Sequence, residues 1–519
     1  IEHPPFSSQT TAPPTPRVSE FGSKITISED TIKKILKLGF VDSLLAVAEA
    51  KEKKSLSKTD GKKVVRLNIP KLDDANKAGT AESEKCTLIL TEGDSAKTTA
   101  ISGLSVVGRD YYGVFPLRGK LLNTREASFA QISKNEEITN LKKIIGLQVD
   151  TKTTKNLRYG KILVMTDADY DGFHIKALLI NFIDSTWPEL LKKKFIGSIL
   201  TPIVKVSKGN ERLSFFTHKD YTEWQKTDQA RGNWNTKYYK GLGTSTATEA
   251  KEYFRNLQVL DYLNKDSKDE SAIQLAFKKT ETDARKDWIR KNTKEFEPLD
   301  YTTKEPIKID SLINKELVLF SIADNIRSIP NIMDGLKPGQ RKILFACFKK
   351  KLNTEIKVAQ LSGYVSEHTA YHHGENSLQE TIINMAQNYV GTNNMNLLMP
   401  CGQFGTRLMG GKDASSPRYI YTKLSDYSKQ LFNNQDFPLL KYLDDDGQSI
   451  EPMYYVPTLP LVLINGAEGI GTGFSTKIPQ FNPDDLKYCL EKLVDNPEYN
   501  LPELTPWYRN FNGHIEKVE

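Results

Sequence analysis

Asp167-Ala168-Asp169-Tyr170-Asp171-Gly172 follows directly on the apolar run Ile162-Leu163-Val164-Met165. Alternate residues of an extended segment point to one side, so Asp167 and Asp169 can face the same point in space. Clustered carboxylates repel one another, and a hard divalent cation relieves that repulsion. The bland reading is a solvated acidic turn. A calcium loop of the D-x-D-x-D-G type is a second rival. It requires a bidentate Glu at its twelfth position, where this chain has Leu178, and a helix before it, where 161–165 reads as a strand. The stretch therefore predicts a magnesium site at the end of a strand.

A second acidic motif supports that reading. Cys86-Thr87-Leu88-Ile89-Leu90-Thr91-Glu92-Gly93 reads as an apolar strand ending in a carboxylate, with Asp94 or Ser95 as the N-cap of the next helix. Strand–Glu–helix and strand–Asp-x-Asp–helix are topologically alike. In a parallel α/β sheet both acidic ends emerge on one edge, where ligands bind. Glu92, Asp167 and Asp169 are then expected to share one or two Mg²⁺ ions, an arrangement suited to phosphoryl transfer. Around them, strands are expected at 87–90, 162–165 and 199–206, alternating with helices at 95–102 and 174–186.

With 519 residues the chain is too long for one ordinary core. Hydrophobic content of 38% and charged content of 26% place it among globular proteins, and no apolar run is long enough to span a bilayer. Cys86, Cys347, Cys401 and Cys489 lie far apart, with no zinc or disulfide framework, which fits a reducing compartment. The net charge of +7 permits nucleic-acid binding without establishing it. Ile1 is not a start residue and no signal peptide opens the chain, so a fragment is expected. Residues 29–53 carry helical periodicity, and 51–63 form a Lys-rich connector. Residues 207–310 are charged and mixed, with a helix near 272–288. A second domain follows over 310–479, with helices at 313–325, 341–349 and 377–390; Leu378, Ile382, Met385 and Tyr389 mark one buried face of the last.

Further motifs lie in that domain. Arg418-Tyr419-Ile420-Tyr421 follows the Gly-rich stretch at 410–413, and spacing alone does not choose between the two tyrosines. A phenol ionises near ~10 and needs cationic help as an oxyanion, which Arg418 can supply. His372-His373 has no third ligand at zinc spacing. Lys337, Arg341, Lys342, Lys349, Lys350 and Lys351 cluster around a turn–helix; with Arg118, Lys120 and Lys240 they read as a phosphate track. The loop at 466–473 is G-x-G-x-G after Gly469, not a dinucleotide fingerprint, and there is no P-loop.

Glu92-Gly93-Asp94-Ser95-Ala96 followed by the triple-acid loop resembles the Toprim domain of topoisomerases, primases and some nucleases. Pro116-Leu117-Arg118-Gly119-Lys120-Leu121-Leu122-Asn123, Tyr238-Tyr239-Lys240-Gly241-Leu242-Gly243-Thr244-Ser245 and Gly335-Leu336-Lys337-Pro338-Gly339-Gln340-Arg341-Lys342 narrow this to eukaryotic type IIA DNA topoisomerases. The resemblance implies a multidomain α/β plus α+β chain, with a Rossmann-like Toprim sheet followed by a winged-helix DNA-cleavage domain. The implied division is 1–60 as the end of an ATPase transducer, 61–85 linker, 86–206 Toprim, 207–309 extension and linker, 310–480 winged-helix domain, and 481–519 the start of a tower domain. It implies Tyr419 as the nucleophile. Arg418, His373, Arg327, Lys337 and Arg341 would surround the scissile phosphate. Glu92 and Asp167 would hold one Mg²⁺ and Asp167 with Asp169 another, supported by Asp171. Arg118, Lys120, Lys240 and Lys342 would bind DNA, with Ile470 as a wedge between base pairs. The implied partners are double-stranded DNA and a second copy of the chain, with no membrane; the implied residence is the nucleus, and the implied second cofactor is ATP. Ser8-Gln9-Thr10-Thr11 matches a Gln-Thr-Lys loop that touches the γ-phosphate. Gln9 is kept, but Thr11 stands where the family has Lys, which puts that contact in doubt. The rival readings are a DNA-binding scaffold without turnover and a Toprim nuclease or primase.

Overall fold

The computed structural model describes residues 56–518 except 240, 295, 296, 302, 304, 372 and 446, with a few positions between 34 and 54. The expected transducer end, including Gln9 and Thr11, and most of the helix at 29–53 lie outside the described residues, as do Lys240 and His372.

The central sheet starts with β1 (Thr87–Glu92), β2 (Tyr112–Leu117), β3 (Lys161–Met165) and β4 (Ile196–Ile199), parallel in the order β2-β1-β3-β4. Both faces of these strands are apolar, and the two-residue period sorts them. Leu88 and Leu90 of β1, with Ile162 and Val164 of β3, enter a large core with α2 (Glu136–Ile145) and α3 (Tyr170–Thr186). Ile89, Leu163 and Met165 face the other way, onto Ala96, Ala100 and Leu104 of α1 (Gly93–Val107). Each fully buried Leu or Ile of these layers contributes about 1.5–3 kcal/mol.

The strand expected over 199–206 is two strands in two sheets. β4 ends at Ile199 and β5 (Val204–Lys208) starts a small antiparallel sheet with β6 (Glu211–Phe215) and β7 (Asn235–Tyr238), packed on Tyr221 and Trp224. Pro202 lies between them and has no N–H to give a ladder. After α4 (Ala247–Arg255), the central sheet is completed by β8 (Val259–Leu263), antiparallel to β4, and β9 (Ile307–Lys308), parallel to β8. The helix expected near 272–288 is also two, α5 (Ser267–Phe277) and α6 (Thr282–Lys294), parted where Lys278 turns extended. The helix expected at 313–325 begins as a π-helical turn, Ile313–Leu317, and continues as α7 (Val318–Ser328).

A second core forms between α8 (Pro338–Lys350), α9 (Val358–Thr369) and α10 (Glu375–Ala386). The short ladder of β10 (Ile356–Lys357) and β11 (Tyr421–Thr422) flanks it. Leu378, Ile382 and Met385 are buried as their spacing predicts. Tyr389 is not on the helix, which stops at Ala386 because Gln387 is extended. Helix α7 joins the two bodies: Val318 and Phe320 belong to the first core, while its far end meets α8 and a later hairpin. Among the described residues no helix is long and apolar enough to cross a membrane.

Candidate functional site

Glu92 closes β1, and Asp167 and Asp169 lie in the turn after the neighbouring parallel strand β3, where Thr91 is in register with Met165. All three acids therefore share one edge of the sheet. Glu92 Oε2 is buried and has no hydrogen-bond partner among the described residues. Burial, and next the charges of Asp169 and Asp167, push the Glu92 carboxyl up to about 7. Burial also raises Asp167, offset in part by the Leu242 backbone N–H, which donates to Asp167 Oδ1 at 2.7 Å. That donor comes from the loop between β7 and α4. A Cβ at Gly241 would lie 2.7 Å from Asp167 Oδ2, so any larger residue would have to push that carboxylate aside.

Asp169 is the N-cap of α3, its Oδ1 accepting from the Gly172 N–H at 2.8 Å. That fixes the carboxylate and leaves Oδ2 for a ligand. The expected N-cap of α1 is not observed: Glu92 takes the position without a capping bond, and Asp94 sits in the first turn, paired with Lys71 at 2.5 Å. Helix α3 starts at Tyr170 and Leu178 is buried in it, so no twelve-residue calcium loop exists. Among the described residues no three acidic, His or Cys side chains converge on one point, so the edge is open rather than a cage. The donor set fits Mg²⁺, which is typically held by one or two carboxylates plus waters and substrate phosphate. The orphaned Glu92 oxygen and the raised acids mark where positive charge is missing.

Asp171 differs. Its Oδ1 meets Lys120 Nζ at 2.7 Å and its Oδ2 meets Arg327 Nη1 at 3.3 Å. Burial favours its neutral form, but the two cations outweigh that and hold it below the usual carboxylate range. Lys120 also lies over the Phe320 ring at 4.5 Å, and His174 stacks on that ring at 3.9 Å. Burial keeps His174 neutral, down to about 4. Arg118 is exposed and pairs with Glu136 at 3.0 Å.

In the second body Tyr419 is 73% exposed, in a turn closed by its N–H to the Ser416 carbonyl at 2.9 Å. Tyr421 is 37% exposed and tied by backbone bonds to Cys401. The Arg418 guanidinium stands 5.8 Å from the Tyr419 ring centre. His373 packs edge-on against Tyr371, and Lys337 immediately precedes α8. Two cations expected on the phosphate track turn inward. Arg341, 4% exposed, is bidentate on Asp334 at 2.7 and 3.0 Å and also donates to the Leu336 carbonyl. Lys342 is held by Glu451 at 2.9 Å and the Thr369 carbonyl at 2.7 Å. A side chain so committed has little left to offer a phosphate, which corrects the expected role of both.

Ile470 is 78% exposed at the end of β12 (Ala467–Ile470), in a hairpin with β13 (Ser475–Ile478). The hairpin leans on α7: Asn325 Nδ2 donates to the Thr472 carbonyl at 3.1 Å, and Thr472 Oγ1 donates to Asp324 Oδ2 at 2.9 Å. Sequence reasoning missed this anchor, as it missed the Gly241-Leu242 cover; neither leaves a local signal.

Three family models match end to end: Toprim domain over 87–201, C-terminal associated domain of TOPRIM over 199–325, and DNA gyrase/topoisomerase IV over 327–519. DNA topoisomerase 2 of Saccharomyces cerevisiae is 52% identical over 533 residues, covering 100% of this chain. DNA topoisomerase 2 of Arabidopsis thaliana is 54% identical over 530 residues, again covering 100%. The chain belongs to the type II DNA topoisomerase family. It spans 37% and 35% of the length of those two relatives. A crystal structure of the Plasmodium falciparum topoisomerase II DNA-binding, cleavage and re-ligation domain matches with a TM-score of 0.71 and 51% identity, covering 87% of this chain and 62% of that one. In topoisomerase terms, the acidic edge lies on the Toprim domain and Tyr419 on the DNA-cleavage domain.

Proposed function

We propose that this chain is the DNA-cleaving core of an ATP-dependent type II topoisomerase that relaxes and decatenates DNA. The observation that carries the reading is an uncompensated acidic edge, Glu92 with Asp167 and Asp169, in one chain with an exposed tyrosine flanked by Arg418. Tyr419 Oη gives up its proton and attacks the scissile phosphorus, the P–O3′ bond breaks, and the leaving 3′ oxygen takes up a proton in its place. The product is a 5′-phosphotyrosine and a free 3′-hydroxyl. One ester replaces another, so the reverse attack reseals the strand without a new energy source. Glu92, Asp167 and Asp169 would hold Mg²⁺, which supplies charge stabilisation for the phosphate and leaving oxygens. Arg327, Lys337 and His373 orient the phosphate, Arg118, Lys120 and Lys240 follow the backbone, and Ile470 wedges the duplex. Two copies, each cutting one strand, make the double-strand break. Use of ATP and nuclear residence are carried over from the eukaryotic relatives. We read the domain division given above in the same way.

Incubation with end-labelled duplex and Mg²⁺, followed by detergent, tests this. Protein is expected on the 5′ ends, lost in Tyr419→Phe and kept in Tyr421→Phe. The reverse pattern overturns the tyrosine assignment. Free 5′-phosphates indicate a Toprim nuclease, and unchanged DNA a binding scaffold.

A further inference from the structure

Among the described residues, Asp171 is the acid of the triple-acid loop that is paired with cations, and those cations come from two directions. Lys120 projects from the loop after β2, at 2.7 Å, and Arg327 from the last turn of α7, at 3.3 Å. Arg327 also reaches Asp324 Oδ1 at 3.5 Å, and Asp324 in turn accepts from Ser328 Oγ at 3.3 Å and from Thr472 Oγ1 of the Ile470 hairpin at 2.9 Å. One chain of polar contacts thus runs from the acidic edge to the wedge. The pairs are open to solvent: Lys120 is 37% exposed, Arg327 42% and Asp171 24%. By contrast Asp334 and Arg341 are 0% and 5% exposed. A half-exposed pair exchanges partners readily, whereas a buried one does not.

We infer that Asp171 stands in for a DNA phosphate, holding Lys120 and Arg327 in place until the duplex arrives and takes them over. It is a positioning residue. Its carboxylate sits where two converging cations need a negative charge, as a backbone phosphate would. When phosphate oxygens displace it, Asp171 is set free on the edge it shares with Asp167 and Asp169. The edge then gains negative charge at the moment the substrate is seated, so its demand for a cation rises with DNA binding. The same exchange loosens Arg327 from Asp324 and so reaches Thr472 and the wedge. The inference rests on the DNA-cleavage reading above.

The test is duplex binding without metal, which needs no turnover. Fluorescence anisotropy of a labelled duplex in EDTA is followed as a function of salt, with folding checked by thermal melting. Asp171→Asn removes the competitor, so it should bind about 5-fold tighter at ~0.1 M salt, with a log–log salt slope steeper by about 1–2, since each phosphate newly met by a cation adds ~0.9. Glu189→Gln removes the same charge from the exposed pair with Lys192 and controls for net charge; it should leave the slope unchanged. If Asn at this position melts early, Asp171→Ser serves, being at home in a first helical turn. Equal or weaker binding by the Asp171 variant, or an equal gain in Glu189→Gln, overturns the stand-in and leaves the cleavage reading intact. A chain that binds no duplex at all overturns both.

Discussion

Asp334 and Glu92 are both acids withdrawn from water, and the chain treats them oppositely. Asp334 accepts from the Leu336 and Tyr455 backbone N–H groups and takes a bidentate Arg341, so both of its oxygens have donors. Glu92 keeps one buried oxygen with no donor among the described residues and has two further acids as neighbours. Where a charge serves the fold, the chain itself supplies the partner, from nearby or from far along the sequence. Where a buried charge is left uncompensated, something from outside has to complete it, and strongly perturbed acids in a cleft are candidates for function on that ground.

The largest effect expected from that contrast is on stability. Asp334→Ala should cost about 3–5 kcal/mol in urea unfolding, because it strands a buried guanidinium. Asp167→Asn should leave stability unchanged or raise it by ~0.5 kcal/mol, having removed only a repulsion. A loss comparable to that of Asp334→Ala would make the acidic edge structural and dissolve the contrast. Next comes chemistry. Asp167→Ala should lower covalent adduct formation by ~100-fold or more, equivalent to about 2.7 kcal/mol in the barrier. Duplex affinity in EDTA should stay within about twofold, since no phosphate contact is lost.

The third effect is on pH. A Glu92 carboxyl raised from 4.5 to about 7 binds its proton more tightly in the folded chain. Its contribution to metal-free stability is therefore complete below 4.5 and fades as pH rises through about 7. Urea titrations should show that fade in the parent chain and not in Glu92→Gln. Mg²⁺ has to displace the same proton, so its apparent affinity should climb roughly tenfold per pH unit below that value, with proton release visible by calorimetry in buffers of different ionisation enthalpy. The smallest effect belongs to the wedge. Ile470→Ala should lower duplex affinity only a few-fold (about 1 kcal/mol) while reducing the bend seen by fluorescence transfer between the duplex ends.

Much of the acidic edge was legible because it is local. Asp167 and Asp169 follow β3 within one short turn, not along the strand whose alternation predicted them, and parallel pairing of β1 with β3 brings Glu92 to them. What escaped is what arrives from far along the chain. The Leu242 N–H has no side chain to advertise it, and the Gly241 that admits it looks like any loop glycine. β8 and β9 complete the first sheet from a stretch whose composition reads as a charged connector. Arg341 and Lys342 sit in a basic run that suggests a solvated face; their acids, Asp334 and Glu451, are what turn them inward. Pro202 was visible, but an apolar run on both sides masked the break it makes.

The Ile470 hairpin rests on α7 and, through Phe474 under Arg290, on α6, while its two ends are tied to the body that bears Tyr419, by Asn394 donating to the Ile464 carbonyl and Gln480 to the Thr392 carbonyl. α7 itself is packed into the Toprim-side core. On the function proposed above, the wedge would therefore sit at the joint between the acidic edge and the tyrosine, tied to both bodies. Movement at that joint would then be felt by wedge, acids and tyrosine at once, so the three would have to find their places as a set.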